Sequence, residues 1–370
     1  MKKVAVFGAT GSIGKQALDV IDKLGWQVVA ATAGSNLHLL QELAYKYSIP
    51  QIAVRSLKNE LADDLVKRNK LISFAEAIEV AKEKADVVVN AVSGFAGLEI
   101  TIAFSNTSKR IALANKESVV CGGKLLKGVK AEIVPIDSEH TSLLMLSEFV
   151  KRPYIARFGI TASGGAIRDV DNPRDLSAEE VLRHPNWNMG AKITVDSATM
   201  FNKALEVVEA CWYFDVDVED VEVVLHRQSY VHSFLRLVDG SLIFAVSDPD
   251  MRFAINYALT YPEVRGSFRK EFNVNGDMEF CRIDEEKYPL FFYALDKFKS
   301  YGESAMVALN AADECAVEDF LRGSIRFGEV IDRIIDVVER VELKQEFTTI
   351  REIEEFDKYV RERYKETFGK

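Results

Sequence analysis

The chain has 370 residues, 48% of them hydrophobic and 28% charged, with a formal net charge of −10. That length calls for two or three cores, and the acidic balance argues against a nucleic-acid partner, whose phosphates need a basic surface. Cys121, Cys211, Cys281 and Cys315 lie far apart with no Cys-x-x-Cys, which disfavours a disulfide framework or thiolate zinc site and fits a reducing, cytoplasmic compartment, and no window has the apolar length to span a membrane.

Residues 1–137 alternate short apolar runs with amphipathic stretches, the rhythm of βαβ units. Strands are expected at 3–7, 27–32, 51–54, 86–90, 110–113 and 132–136, with the clearest helices at 13–24 and 37–47. Residues 138–262 change character. A helix after Ser138 and a strand at 154–160 precede a segment punctuated by Gly, Pro and Asn from Ser163 to Gly190. A helix from about Ala198 to Tyr213 follows, then strands at 221–225, 230–238 and 241–246, expected antiparallel, with Asp239-Gly240 as a hairpin turn. Residues 263–284 resemble a linker, and 285–370 a small helical bundle. The fold class expected is α/β: a Rossmann-like parallel-sheet domain, a central α+β catalytic domain with an open sheet, and a C-terminal helical domain.

Gly8-Ala-Thr-Gly11-Ser-Ile-Gly14 follows the first strand and opens the first helix, where a dinucleotide pyrophosphate sits on a helix N-terminus. The second strand ends in Ala33-Gly34-Ser35-Asn36, without the acid that bonds the ribose 2′-hydroxyl of NAD. This tilts the choice toward NADP, although no Lys or Arg sits in that short segment.

Asp137-Ser138-Glu139 follows the sixth strand. If the chain is still extended there, both carboxylates face one side and suit Mg²⁺ or Mn²⁺; the same residues equally suit a helix start capped by Ser138. On the 198–213 helix, Ala204, Val207, Val208 and Cys211 form an apolar face. Asn202, Lys203 and Glu206 fall opposite, either as a solvated face with a surface pair or as groups aimed into a cleft. Ser163-Gly164-Gly165 can form an anion-binding nest, and Ser197, placed near a helix start, offers a hydroxyl with a favourable dipole. Trp187 and Met189 lie in a polar loop, His184 to Gly190, as in a lid over a ligand or as buried anchors. His184 can hold a phosphate or act as an acid.

Together, residues 8–14, Ala-Asn-Lys-Glu-Ser at 114–118, Asp-Ser-Glu-His at 137–140, Thr-Ala-Ser-Gly-Gly at 161–165, His-Pro-Asn-Trp-Asn-Met-Gly at 184–190 and residues 196–206 resemble the 1-deoxy-D-xylulose 5-phosphate reductoisomerase family. The resemblance implies NADPH on Thr10, Gly11, Ser12, Ile13, Gly34, Ser35, Asn36, Asn115, Glu117 and Gly190. It implies a divalent metal on Asp137, Glu139 and Glu206, with Lys116 as a further catalytic residue. The phosphorylated sugar would meet Lys116, Ser138, Glu139, Ser163, His184, Ser197, Asn202, Lys203 and Glu206 under a lid carrying Trp187. Family members often have a basic residue where Ser35 stands, which leaves NADH use open. The implied reaction is a skeletal rearrangement, read as retroaldol–aldol, followed by hydride reduction of an aldehyde. It is a step of non-mevalonate isoprenoid precursor biosynthesis, carried out by a cytoplasmic homodimer with no membrane or nucleic-acid partner. The rival readings are a simple NADP-dependent dehydrogenase of a small phosphorylated or carboxylated aldehyde, and a non-catalytic NADP-binding protein.

Overall fold

The computed structural model describes residues 1–56, 70–107, 109–183, 186–187, 189–265, 272–273, 277–343 and 346–369. The chain divides into two compact units. The first comprises Met1–Asn115, Leu126–Thr141 and Asp250–Lys270, and the second Lys116–Leu125, Ser142–Pro249 and Glu271–Lys370.

The first unit begins β1 (Lys3–Phe7), α1 (Ser12–Lys23), β2 (Gln27–Ala33), α2 (Leu37–Lys46), β3 (Gln51–Val54), β4 (Lys70–Leu71), α3 (Phe74–Lys84), β5 (Val87–Asn90), α4 (Ala96–Ser105) and β6 (Arg110–Leu113). After α5 (Lys116–Leu126), which mostly belongs to the second unit, come β7 (Glu132–Pro135) and the start of α6 (Ser138–Phe149). The strands form a parallel seven-stranded sheet in the order β4-β3-β2-β1-β5-β6-β7. Val4 to Phe7 of β1 and all of β5 are buried, as continuous apolar strands of a parallel sheet covered on both faces should be. The added strand, β4, is two residues long, too short to show a period.

The second unit carries β8 (Ile155–Ala162), α7 (Ala178–Val181), α8 (Ala191–Ala198), α9 (Phe201–Phe214), β9 (Val221–Leu225), β10 (Val231–Leu237) and β11 (Leu242–Val246). Its sheet order is β11-β10-β8-β9. The β10–β11 hairpin is antiparallel as expected, with Gly240 at φ +88° in the turn. The expectation that 221–225 is antiparallel is corrected: β9 runs parallel to β8, pairing Phe158 with Val221. Three helices lie between them, and a crossover of that length returns a strand in the same direction. The helix expected from about Ala198 to Tyr213 is present as α9 and begins at Phe201, because Met200 adopts a left-handed φ of +61° and separates it from α8, which ends at Ala198.

The chain then returns to the first unit through α10 (Arg252–Thr260), where Arg110 Nη1 donates to the Leu259 carbonyl at 3.0 Å. Of the expected linker, residues 266–271 and 274–276 lie outside the described set; Cys281 pairs with Leu225 of β9. Helices α11 (Pro289–Tyr301), α12 (Glu303–Leu321), α13 (Phe327–Arg340) and α14 (Ile350–Phe368) complete the second unit. Most of α12 is buried from end to end, the pattern of a helix enclosed by others.

Candidate active site

The carboxyl edge of the parallel sheet is built from backbone. Gly8 has φ +85°, and a Cβ there would lie 2.4 Å from the Ala91 carbonyl oxygen. A Cβ on Gly14 would lie 2.2 Å from the Gly8 oxygen. Side chains are thus excluded where β1 turns into α1, and the free amides of the first helical turn face the edge, as an anionic pyrophosphate requires. Thr10 and Ile13 are half-buried, and Gly11 and Ser12 exposed. At the end of β2, Gly34, Ser35 and Asn36 are exposed, and Asn36 Oδ1 caps α2 by accepting from Leu39 N at 3.1 Å. Asn115 is buried; its Nδ2 donates to the carbonyls of Val92 at 2.9 Å and Gly94 at 2.8 Å, bracing the loop after β5. These cofactor candidates share one unit, while Glu117 and Gly190 belong to the other.

Asp137, Ser138 and Glu139 also lie in the first unit. The chain is not extended there. Helix α6 begins at Ser138, and Asp137 caps it: its Oδ1 accepts from Glu139 N at 3.0 Å and His140 N at 3.2 Å, and lies 2.8 Å from His140 Nδ1. Asp137, not Ser138, is therefore the cap, and Ser138 Oγ donates to Glu139. His140 is fully buried.

In the second unit the polar side of α9 proves to be buried. Lys203 is 5% exposed and Glu206 2%, which removes the solvated-face reading. Lys116, at the start of α5, places Nζ 2.8 Å from Glu206 Oε1 and 3.7 Å from Glu209 Oε2. Lys203 pairs with Glu206 Oε2, and Asn202 Nδ2 donates to Glu206 Oε1 at 2.5 Å. One buried carboxylate is thus held by two ammonium groups and an amide, all charge-assisted contacts. Glu209 was missed by sequence reasoning, although its place one turn beyond Glu206 was a usable signal.

Ser163 follows β8 and opens the Ser-Gly-Gly turn. Gly164 and Gly165 have φ +80° and +63°, and a Cβ on Gly165 would lie 2.6 Å from the Ser197 carbonyl oxygen. The turn is thereby pressed against the end of α8. The buried Tyr288 hydroxyl donates to the Gly164 carbonyl at 2.9 Å and fixes it from the other side. Ser197 lies in the last turn of α8, correcting its placement near a helix start; α9 begins only at Phe201, so the N-terminal dipole favours Asn202 instead. His184 lies outside the described residues. Trp187 and Met189 are half-buried, and Trp187 lies 6.2 Å from the His232 ring. Asn186 Nδ2 bonds the Arg227 carbonyl at 2.5 Å and Ser229 Oγ at 2.7 Å.

The second unit also holds a charge cluster that joins the i,i+4 pair Lys192–Asp196 to a carboxylate distant in sequence. Lys192 Nζ of α8 sits 2.6 Å from Asp196 Oδ2 and 2.8 Å from Asp313 Oδ2 of α12. Burial opposes the ammonium, but the two carboxylates outweigh it and hold it well above the usual lysine value. Burial raises both Asp196 and Asp313, with repulsion from Asp313 adding to the rise of Asp196 and repulsion from Glu314 to that of Asp313, so the pair tends to share a proton. Burial also raises Glu117, against the pull of Lys192.

A family model described as 1-deoxy-D-xylulose 5-phosphate reductoisomerase matches residues 4–123. Two others, describing C-terminal domains of that enzyme, match 133–214 and 246–363. The chain is 42% identical over 344 residues to the 1-deoxy-D-xylulose 5-phosphate reductoisomerase of Thermus thermophilus, covering 92% of this chain and 93% of the relative. It is 42% identical over 346 residues to that of Thermotoga maritima, covering 90% and 88%. Among solved structures, the Zymomonas mobilis reductoisomerase in complex with NADPH superposes with a TM-score of 0.87 at 31% identity, covering 99% of this chain and 98% of that one. A DOX-P reductoisomerase in complex with NADPH, fosmidomycin and magnesium superposes at 0.86 with 33% identity and the same coverage.

Proposed function

The chain belongs to the 1-deoxy-D-xylulose 5-phosphate reductoisomerase family, and from that premise we propose how its residues divide the work. The enzyme converts 1-deoxy-D-xylulose 5-phosphate and NADPH to 2-C-methyl-D-erythritol 4-phosphate, rearranging the carbon skeleton and then reducing the resulting aldehyde. The reaction belongs to isoprenoid precursor biosynthesis. We assign cofactor binding to 1–137, substrate and metal binding to 138–262, and a supporting helical role to 285–370, with 263–284 joining them.

Thr10, Gly11, Ser12 and Ile13 receive the pyrophosphate, and Gly34, Ser35 and Asn36 the adenosine end; Asn115, Glu117 and Gly190 complete the site. NADPH supplies the hydride. Asp137, Glu139 and Glu206 hold the divalent metal, an all-carboxylate set that suits Mg²⁺ or Mn²⁺. When bound there, the metal would supply Lewis-acid polarisation of a carbonyl and positive charge for a developing oxyanion. Ser163, Ser197, Asn202 and Lys203 grip the phosphate, with His184 as a further donor. This remote grip orients the reacting end. Lys116, with Ser138 and Glu139, faces the reacting oxygens, where its ammonium adds positive charge. Trp187 and Met189 close the site against water.

The observation that carries this division is the buried Lys203–Glu206 pair with the half-buried Lys116 and Asn202 closing on it: charges this costly to bury are seldom retained without a task. NADPH oxidation with 1-deoxy-D-xylulose 5-phosphate should vanish in EDTA and return with Mg²⁺ or Mn²⁺. Full turnover in EDTA would refute the carboxylate assignment.

We further infer a cytoplasmic homodimer. Free cysteines support the reducing compartment, and no described helix is long and apolar enough to cross a membrane. The exposed Leu242, Phe244 and Val246 of β11, with Phe280 beside Phe244, support an apolar contact with a second copy.

A further inference from the structure

NADPH differs from NADH by one 2′-phosphate, and Gly34, Ser35 and Asn36 offer no cation to receive it. The sheet brings one alongside. The parallel pairing of β2 with β3 sets Ala33 opposite Val54. It continues one residue past both strands: Arg55 N donates to the Ala33 carbonyl at 3.0 Å, and Ser56 N to the Gly34 carbonyl at 2.9 Å. Arg55 therefore stands beside Gly34 at the carboxyl edge, although 20 or so positions separate them in sequence.

Its side chain reaches across that edge. Nη2 lies 2.6 Å from Glu99 Oε2 and Nη1 3.4 Å from the Ala96 carbonyl, both in the first turn of α4. The guanidinium lies 5.6 Å from the Phe74 ring. In the sheet order β2 and β1 lie between β3 and β5, the strand that precedes α4. The guanidinium thus spans the edge onto which the glycine turn and Gly34 open. The Arg55 and Glu99 side chains are 44% and 48% exposed. An ion pair that open to water holds little energy and exchanges readily, whereas a dianionic phosphate offers the guanidinium a bidentate, charge-assisted partner.

The geometry points to Arg55 as the residue that takes the 2′-phosphate of NADPH and sets the preference over NADH, exchanging Glu99 for the phosphate when the cofactor binds. This rests on the reading that Gly34, Ser35 and Asn36 hold the adenosine end. No side chain is moved into the chemistry, so the effect falls on affinity.

The test uses the full chain with Mg²⁺ and saturating sugar phosphate. In Arg55→Gln, KM for NADPH and the inhibition constant of adenosine 2′-monophosphate should each rise about tenfold or more. NADH, adenosine 5′-monophosphate and kcat should stay within about twofold, and Arg55→Lys should recover part of the loss. Ser35→Asp is the control for the site itself, because an acid there repels a 2′-phosphate whichever group receives it. If Ser35→Asp weakens adenosine 2′-monophosphate while Arg55→Gln does not, the Arg55 assignment is wrong and the site reading stands. If neither variant changes it, both are wrong. Equal losses for the 2′- and 5′-monophosphates in Arg55→Gln would also overturn the assignment, since Arg55 would then be shaping the pocket without reading the phosphate.

Discussion

The two ends of this chemistry are built from opposite materials. The glycine turn in the first unit works by omission: Gly8 and Gly14 stand where any Cβ would collide with backbone, and what the turn presents are main-chain amides. The α9 cluster in the second unit works by accumulation, packing Lys116, Lys203, Asn202, Glu206 and Glu209 together with little exposure to water. A backbone site fails through shape, and a buried charged site through imbalance. Substitutions should therefore have different signatures in the two.

Glu206→Gln sharpens the contrast most. It keeps the shape of α9 but leaves two ammonium groups, the buried one of Lys203 and the half-buried one of Lys116, facing a neutral amide. Turnover should fall on the order of a thousandfold, with NADPH affinity, read by fluorescence titration, within about threefold. Near-normal turnover would mean that the cluster is structural only. Gly14→Ala should do the reverse at smaller scale. Overpacking against the Gly8 oxygen should cost about 1–3 kcal/mol of stability, seen as a lower Tm, and weaken NADPH about tenfold or more. An unchanged NADPH affinity would break the comparison from the other side.

The smallest expected effect lies in the Lys192 cluster. Asp196 and Asp313 are raised in the folded protein, so above the unfolded aspartate value of about 4 the folded pair keeps a proton that the unfolded chain has released. That contribution is complete below pH 4 and is lost as pH rises through the folded value. Asp313→Asn removes it. The Tm advantage of the wild type over this variant should be largest near pH 4 and shrink toward pH 7; an advantage that grows over that range would contradict a shared proton.

What could be read from sequence follows the same division. The glycine turn was legible because backbone requirements restrict residue type, and six of the seven parallel strands were legible because each is a continuous apolar run between helices. The second unit was legible as a set of residue types without geometry. Helical spacing put Asn202, Lys203 and Glu206 on one face, but only the packing around α9 shows that face to be buried. Asp137 as a helix cap, β9 parallel to β8, and Ser197 at a helix end each depend on where the chain turns, which is set by neighbours distant in sequence. Asp313, more than a hundred residues beyond Lys192, had no local signal at all. Neither did Arg55, whose place beside Gly34 is a matter of strand register.

The return of α10 to the first unit has a consequence for synthesis of the chain. Residues 250–270 leave the ribosome after nearly all of β8 to β11 have emerged, yet they complete the earlier unit, where Arg110 waits for the Leu259 carbonyl. Domains ordinarily fold in the order in which they are made. Here the unit that begins the chain cannot be finished first, so the surface of α1, β6 and β7 on which α10 packs stays uncovered while the second sheet is being laid down. A nascent chain halted near residue 245 should accordingly be far more protease-sensitive within residues 1–115 than one halted near residue 320, by which point residues 250–270 have cleared the ribosome.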